Sequence, residues 1–408
     1  MRLKPLRAIR PVPALAATIA SPPYDVVSRA EAAALARGNP ISFLHVCRSE
    51  IDLPDAVDVY DPRVYARARE NLDALLARGA LVRDARPALF LYRQIMEGRA
   101  QIGVVGGVHV DDYEAGVIRR HEKTRPDKED DRTRHVLATG AQAEPVLLMY
   151  RGRPEIDRLV AAATTAPPLY DFVTHDGVTH TVWCLDDPAP YLSAYRAVAA
   201  AYVADGHHRS ASAWRAARQR RGENARPQGD EEYEWLLAVL FPAAHLRILA
   251  YNRVITDLGG RTPEELLADL GAIGRLAVTD DPVPPRPGSF CFYLGKRWRR
   301  LELAEGSIDR SDPVRALDVS LLQERVLGPL LGITDQRTDK RIDFVGGIRG
   351  ARALEARVDA GLAALAVSLY PTTVDQLMAV SDAGQIMPPK STWFEPKLLS
   401  GLFVHPLD

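Results

Sequence analysis

Cysteine is scarce in this chain. Cys47, Cys184 and Cys291 are an odd number with no close metal-ligand spacing, which argues against a disulfide framework and suits a reducing compartment with each thiol buried. A surplus of one charge is also missing. Lys and Arg total 52 against 53 Asp and Glu, a net charge of -1, so no global field exists to hold a polyanion such as DNA. Apolar runs such as 236–241 fall far short of the about 20 residues that cross a bilayer. The opening residues Met1-Arg2-Leu3-Lys4-Pro5-Leu6-Arg7 run into Pro11 and Pro13 without the apolar stretch of a secretory signal. The expectation is a soluble cytoplasmic protein with neither a membrane nor a nucleic acid as partner.

What is present is ordinary globular composition, 47% hydrophobic and 26% charged over 408 residues, enough to bury a large core in two or three subdomains. Ser28-Arg29-Ala30-Glu31 has the form of a capping box and predicts a short helix ending at Gly38. A second helix is expected over 64–78, and the β-prone runs 88–94 and 101–110 predict a hairpin. The charged stretch 119–134 reads as a solvated helix face. Strands are expected at 144–150 and 179–184, and helices at 191–201 and 211–221. The polar segment 219–232 is the best candidate for a lid. Thr262-Pro263-Glu264-Glu265 marks another helix start, and the Pro-rich 281–288 precedes a strand at 289–294. These signs together predict one compact body with an embedded core.

The chemistry is expected at Ala204-Asp205-Gly206-His207-His208-Arg209-Ser210. A phosphate needs several donors aimed at one place and a backbone that can approach it, and Gly206 at the mouth of a helix supplies both. Arg209 adds a two-pronged donor, and His207 and His208 add groups that donate to oxygen or move a proton near neutral pH. Asp205 is placed to hold Mg²⁺ or orient a histidine. The bland alternative is a capped helix whose histidines bond to carbonyls; the clustering favours a functional site. Zinc is the rival chemistry, but adjacent histidines diverge in an extended loop, and no His-x-x-x-His or cysteine pair accompanies them.

His121-Glu122 comes next, because phosphoryl transfer to a hydroxyl uses a carboxylate that takes the proton and orients the nucleophile, against the equally weighted alternative of a glutamate merely solvated in a charged run. Lys123 and Thr124 beside it are phosphate contacts in this reading. The Pro-framed stretch around Lys390-Ser391-Thr392, which runs on to Lys397, is expected to close over an anionic ligand, against the alternative of a tail packed by Trp393 and Phe394. Asp343 with Gly346-Gly347 reads as a plain turn.

The motifs Ser21-Pro22-Pro23-Tyr24-Asp25-Val26-Val27-Ser28, Asn39-Pro40-Ile41-Ser42-Phe43-Leu44-His45-Val46, Arg120-His121-Glu122-Lys123-Thr124, 204–209 and Pro388-Pro389-Lys390-Ser391-Thr392, in that order, resemble the bacterial and archaeal domain-of-unknown-function family numbered one thousand and fifteen. That resemblance implies ATP-dependent phosphorylation of free L-serine to O-phosphoserine. A more distant one, to the ParB and sulfiredoxin superfamily with its free-serine kinases, rests on the order His121-Glu122, then the strand 145–150, then 205–209. It implies an α+β fold with mixed sheets: an N-terminal α/β portion over 1–108, a ParB/sulfiredoxin-like nucleotide-binding core over 109–219 and a C-terminal α/β portion over 220–408 that closes over the site. It also implies Glu122 as the base, with His121 and Asp205 in the catalytic set. Gly206, His207, His208, Arg209, Ser210, Lys123 and Thr124 would then bind ATP or another nucleoside phosphate, Lys390, Ser391 and Thr392 the acceptor, and Mg²⁺ would come with the nucleotide. The chain departs from its relatives at Ser210, where they carry an aromatic residue; the hydroxyl is expected to cap the helix. The second function class is a nucleotide-sensing module that binds or slowly hydrolyses nucleotide without phosphorylating an acceptor. DNA binding would rest on Arg215, Arg218, Arg220 and Arg221 alone, read as a solvated helix face.

Overall fold

The computed structural model describes residues 1–408 and forms two units, 1–246 with 396–408, and 247–395. The first is built on a nine-stranded sheet of β1 (Leu3–Lys4), β2 (Leu89–Met96), β3 (Arg99–His109), β4 (Ile118–Arg119), β5 (Val146–Tyr150), β6 (Tyr170–Val173), β7 (Thr179–Leu185), β8 (Ala201–Asp205) and β9 (Trp235–Pro242). Its order is β4-β8-β5-β9-β3-β2-β7-β6, with β1 beside β3. The run that is too short for a bilayer is a central strand: every residue of β9 is buried, as expected of a strand covered on both faces. β9 lies parallel to β5 and antiparallel to β3, and the predicted hairpin is the antiparallel β2–β3 pair. Mixed sheets with helices make this an α+β fold, as expected.

Helices α1 (Arg29–Ala36) and α2 (Pro62–Ala77) lie where predicted, and the Ser28–Glu31 capping box forms. The charged stretch behaves differently. Only α3 (Pro126–Thr139) is helical, and it is not simply solvated: Asp131 is buried and accepts from the Tyr65 hydroxyl at 2.9 Å, and the buried His135 bonds to the Val46 carbonyl at 2.9 Å. The helix expected over 191–201 is α4 (Ala189–Arg196), and residue 201 already begins β8. Helix α5 (His207–Glu223) starts four residues before the expected 211. Two of its arginines are ion-paired, Arg215 with Glu129 and Asp130 and Arg221 with Asp111 and Glu234, and Arg218 lies over the Trp214 ring.

In the segment read as a lid, 219–223 is helix, and the remainder is tied by Asn224 to the Tyr233 hydroxyl at 2.9 Å, by the Gly229 N–H to Glu231 at 2.9 Å and by Lys4 to the Asp230 carbonyl at 2.9 Å. Cys47 and Cys291 are buried, but Cys184 is exposed, against expectation. No helix is long and apolar enough to cross a membrane.

The second unit carries its own six-stranded antiparallel sheet, into which the predicted strand Ser289–Leu294 (β10) is set. It also carries the predicted helix α6 (Pro263–Ile273), whose Thr262–Glu265 capping box forms. The division expected at 108/109 and 219/220 does not follow the strands, because β2 and β3 share one sheet with β5, β8 and β9.

Residues 396–408 return to the first unit, where Ser400 pairs with Ser21 and Val404 with Ile9. At Gly401 the backbone is left-handed (φ +85°), and a Cβ there would lie 2.6 Å from the Phe43 ring. Gly401→Ala therefore meets both backbone strain and overpacking, and is expected to lower unfolding stability by about 2 kcal/mol or more. Denaturant titration checks this, and an unchanged midpoint contradicts it.

Candidate functional site

Strands β4 and β8 are parallel neighbours, with Ile118 opposite Ala201 and Arg119 opposite Tyr202. Parallel strands end on the same side of a sheet, so the segment 120–124 leaving β4 and the residues 206–210 leaving β8 emerge side by side. A register irregularity between Val203 and Asp205 re-aims the end of β8, as bulges near functional sites do. Gly206 follows in the left-handed region (φ +94°), and a Cβ there would stand 3.2 Å from the Arg209 guanidinium; only glycine makes this entry without strain.

His207, His208, Arg209 and Ser210 form the first turn of α5 and not the loop before it. No side chain caps this helix. The Ser210 hydroxyl donates backward to the Gly206 carbonyl at 3.1 Å, so it is not the cap expected of it. The 17-residue helix thus presents its first N–H groups and the positive end of its dipole at the mouth between the two segments.

His121 and His207 meet edge to face there, ring centroids 4.5 Å apart at 88°. Both are buried. Glu122, with 43% of its side chain exposed, places Oε2 4.0 Å from His207 Nδ1. Burial pushes the His121 imidazole down to about 4, against opposing contributions from the Val203 backbone and Asp205. Burial, reinforced by His121, pushes His207 well below its ordinary value. Both rings are neutral near pH 7. His208 turns elsewhere and accepts from the Arg125 N–H through Nε2 at 3.1 Å. Thr124 donates to Glu129, and Lys123 is exposed.

Behind the mouth lies an ionic cluster. Asp205 Oδ1 pairs with Lys397 Nζ at 2.8 Å and Oδ2 with Arg209 at 2.6 Å. Arg209 also donates to the Pro145 carbonyl and approaches Asp25 at 3.7 Å. Burial raises the Asp205 pKa, but Lys397 and Arg209 outweigh it and hold the carboxyl well below the usual range. The Arg209 guanidinium is thus committed largely to protein acceptors, and both Asp205 oxygens pair with cations, while its charge also acts on His121 and His207. Glu144, buried, accepts from the Tyr24 N–H at 2.9 Å and the Ser400 hydroxyl at 2.8 Å.

The family described as protein of unknown function (DUF1015) matches residues 3–320. The chain belongs to that family. No curated protein matches it. Among solved structures, this DUF1015 chain is similar to a conserved hypothetical protein from Pyrococcus furiosus, at 12% identity and TM-score 0.35, over 74% of this chain and 95% of that one. It is also similar to SbnI with C-terminal truncation from Staphylococcus aureus, at 12% and 0.39, over 74% and 87%. A free serine kinase in complex with AMP is a third, at 13% and 0.34, over 73% and 92%.

The acceptor residues expected in the DUF1015 chain lie in the second unit. There the exposed Lys390, in a left-handed conformation (φ 57°), stands 5.4 Å over the Tyr251 ring. Ser391 is buried, donating to the Pro388 carbonyl at 2.6 Å and accepting from Thr372 at 2.8 Å, and Thr392 is partly buried. Trp393 and Phe394 form a strand there, as the packed-tail alternative expects. The lysine that joins the Asp205 motif is Lys397, and Asp25 stands beside Arg209; neither was singled out as a site residue. Their signals were the Pro-framed Glu395-Pro396-Lys397 and the Tyr24-Asp25 pair within a family motif.

One group of ligand atoms within 4.8 Å of one another exists, on His121, Glu122 and His207. Two imidazole nitrogens and one oxygen do not fit Mg²⁺, which takes oxygen ligands in near-ideal octahedral geometry, and both Asp205 oxygens are paired with cations.

Lys397→Met leaves half of the Asp205 pairing and is expected to cost about 1–2 kcal/mol of stability at pH 7. The depressed Asp205 pKa contributes stability above the unfolded carboxylate pKa, about 4, and loses it as pH falls through the folded value. The gap between wild type and variant should therefore close on acidification in parallel denaturant titrations, and a pH-independent gap would contradict the assignment.

Proposed function

We propose that this protein transfers a phosphoryl group from a nucleoside phosphate to the hydroxyl of a small metabolite, with Glu122 as the base and free L-serine as the leading acceptor. The observation that carries the reading is the half-exposed Glu122 carboxylate at the uncapped N-terminus of α5, 4.0 Å from its first side chain, His207. A proton acceptor and a ready phosphate cradle thus share one mouth.

In the proposed step the acceptor hydroxyl gives its proton to Glu122, and its oxygen bonds to the transferred phosphorus. The bond from that phosphorus to the bridging oxygen of the nucleotide breaks, and the shortened nucleotide leaves with the bonding pair. The first N–H groups of α5, from His207 through Arg209, stabilise the charge on the phosphate oxygens, with Lys123 and Thr124 at its edge. Arg209 and Lys397 act as positioning residues that hold Asp205, and through it Gly206, at the end of β8. Serine as acceptor follows from the family resemblance and not from the geometry. A similar structure is named as a free serine kinase in complexes with AMP and ADP.

The test is purified protein with a divalent cation, L-serine and either ATP or ADP, read for O-phosphoserine by mass spectrometry. Product is expected from the wild type, and Glu122→Gln should lower the rate about 100-fold or more with nucleotide affinity nearly unchanged. Nucleotide binding without acceptor phosphorylation would replace this reading with the nucleotide-sensing one. Equal activity in Glu122→Gln would remove Glu122 as the base.

A further inference from the structure

We propose that His121, Glu122 and His207 form a binding site for a single first-row divalent transition ion of the zinc, iron or manganese kind, with at least one coordination position open. The inference does not rest on the phosphotransfer reading and competes with it for Glu122, since a carboxylate bound to a metal is not free to take the hydroxyl proton.

The donor set is two imidazoles and a carboxylate whose ligand atoms lie within 4.8 Å of one another. That combination suits borderline transition ions, where oxygen-only sets suit magnesium and calcium. Ligand atoms bound at 2.0–2.2 Å stand roughly 3–3.5 Å apart around a metal, so the cluster must tighten by about 1 Å. The histidines are held by the fold and Glu122 is the adjustable member, since it sits on the segment leaving β4 with 43% of its side chain exposed.

The two imidazoles have the features of ligands. Each is buried, so its place is set by the packing around it. His121 is hydrogen-bonded to the Val203 backbone, the kind of contact that fixes ring orientation and tautomer in metal-bound histidines. His207 is rooted in the first turn of α5 with Nδ1 toward Glu122. His208, one residue on, bonds to the Arg125 N–H and takes no part. Because three side chains leave a tetrahedral or octahedral ion unsaturated and the Glu122 side is open, water or a substrate oxygen would complete the sphere.

The experiment uses tag-free, chelator-treated full chain with no nucleotide and no serine, so its outcome is separate from that of the kinase assay. Co²⁺ is titrated and followed by its visible absorption, and Zn²⁺ by elemental analysis after dialysis. One equivalent of either ion per chain is expected, undisturbed by millimolar Mg²⁺, with Glu122→Ala and His207→Gln each binding about tenfold more weakly or worse. Glu122→Ala alters a half-exposed side chain and keeps the test decisive should His207→Gln fail to fold, which circular dichroism reports. Absence of saturable Co²⁺ or Zn²⁺ binding by the wild type, displacement by Mg²⁺, or wild-type affinity in a folded variant overturns the site.

Discussion

The parallel pairing of β4 with β8 is only two residue pairs long, and the arrangement of the site depends on it. Parallel neighbours end on the same side, so a segment leaving one is delivered beside a segment leaving the other. Had β4 run antiparallel to β8, His121 and Glu122 would emerge at the opposite edge from His207. The pairing is short, but it does not stand alone. β8 is hydrogen-bonded on its other side to β5, and β5 to the fully buried β9, so the edge inherits its rigidity from the sheet centre.

The motif 205–209 is largely a device for building the start of a helix at that edge. Asp205 and Arg209 are one helical turn apart and close on each other across Gly206, whose missing Cβ leaves room for the guanidinium. Burying Arg209 demands compensation, since an unpaired buried charge costs several kcal/mol, and Asp205, Asp25 and the Pro145 carbonyl provide it. Lys397 then balances Asp205 from a segment 192 residues away. The two histidines are left free to diverge, one toward His121 and the other toward the backbone of Arg125. They diverge because successive side chains on a helix point about 100° apart, not because they lie in the extended loop that the sequence argument against zinc assumed, and the divergence delivers His207 to a different imidazole.

Much of the local structure was legible in the chain. The capping boxes at Ser28 and Thr262 mark helix starts because their partners are three residues apart, and the β2–β3 hairpin announces itself through apolar β-prone runs, whereas β9 was read only as an apolar run too short for a bilayer. The start of α5 was placed too late because Gly206 caps it with backbone conformation and not with a side chain, so no Ser, Thr or Asp flagged it. The solvated face assigned to the charged stretch holds only in part, because pattern alone cannot show that Asp131 meets Tyr65 from a distant element.

By itself, the sequence determined what short-range chemistry determines: an α+β chain with recognisable caps, no membrane-spanning helix, a family signature spread over most of its length, and a glycine-centred motif rich in polar groups. Tertiary structure decided the division into two units and the choice of Lys397 as the partner of Asp205. It also decided the meeting of His121 and Glu122 with His207, and the burial that keeps both imidazoles neutral. Those features depend on which strands become neighbours and on what covers them. Strand pairing is a contest of long-range hydrogen bonding and packing that no local pattern of residues encodes.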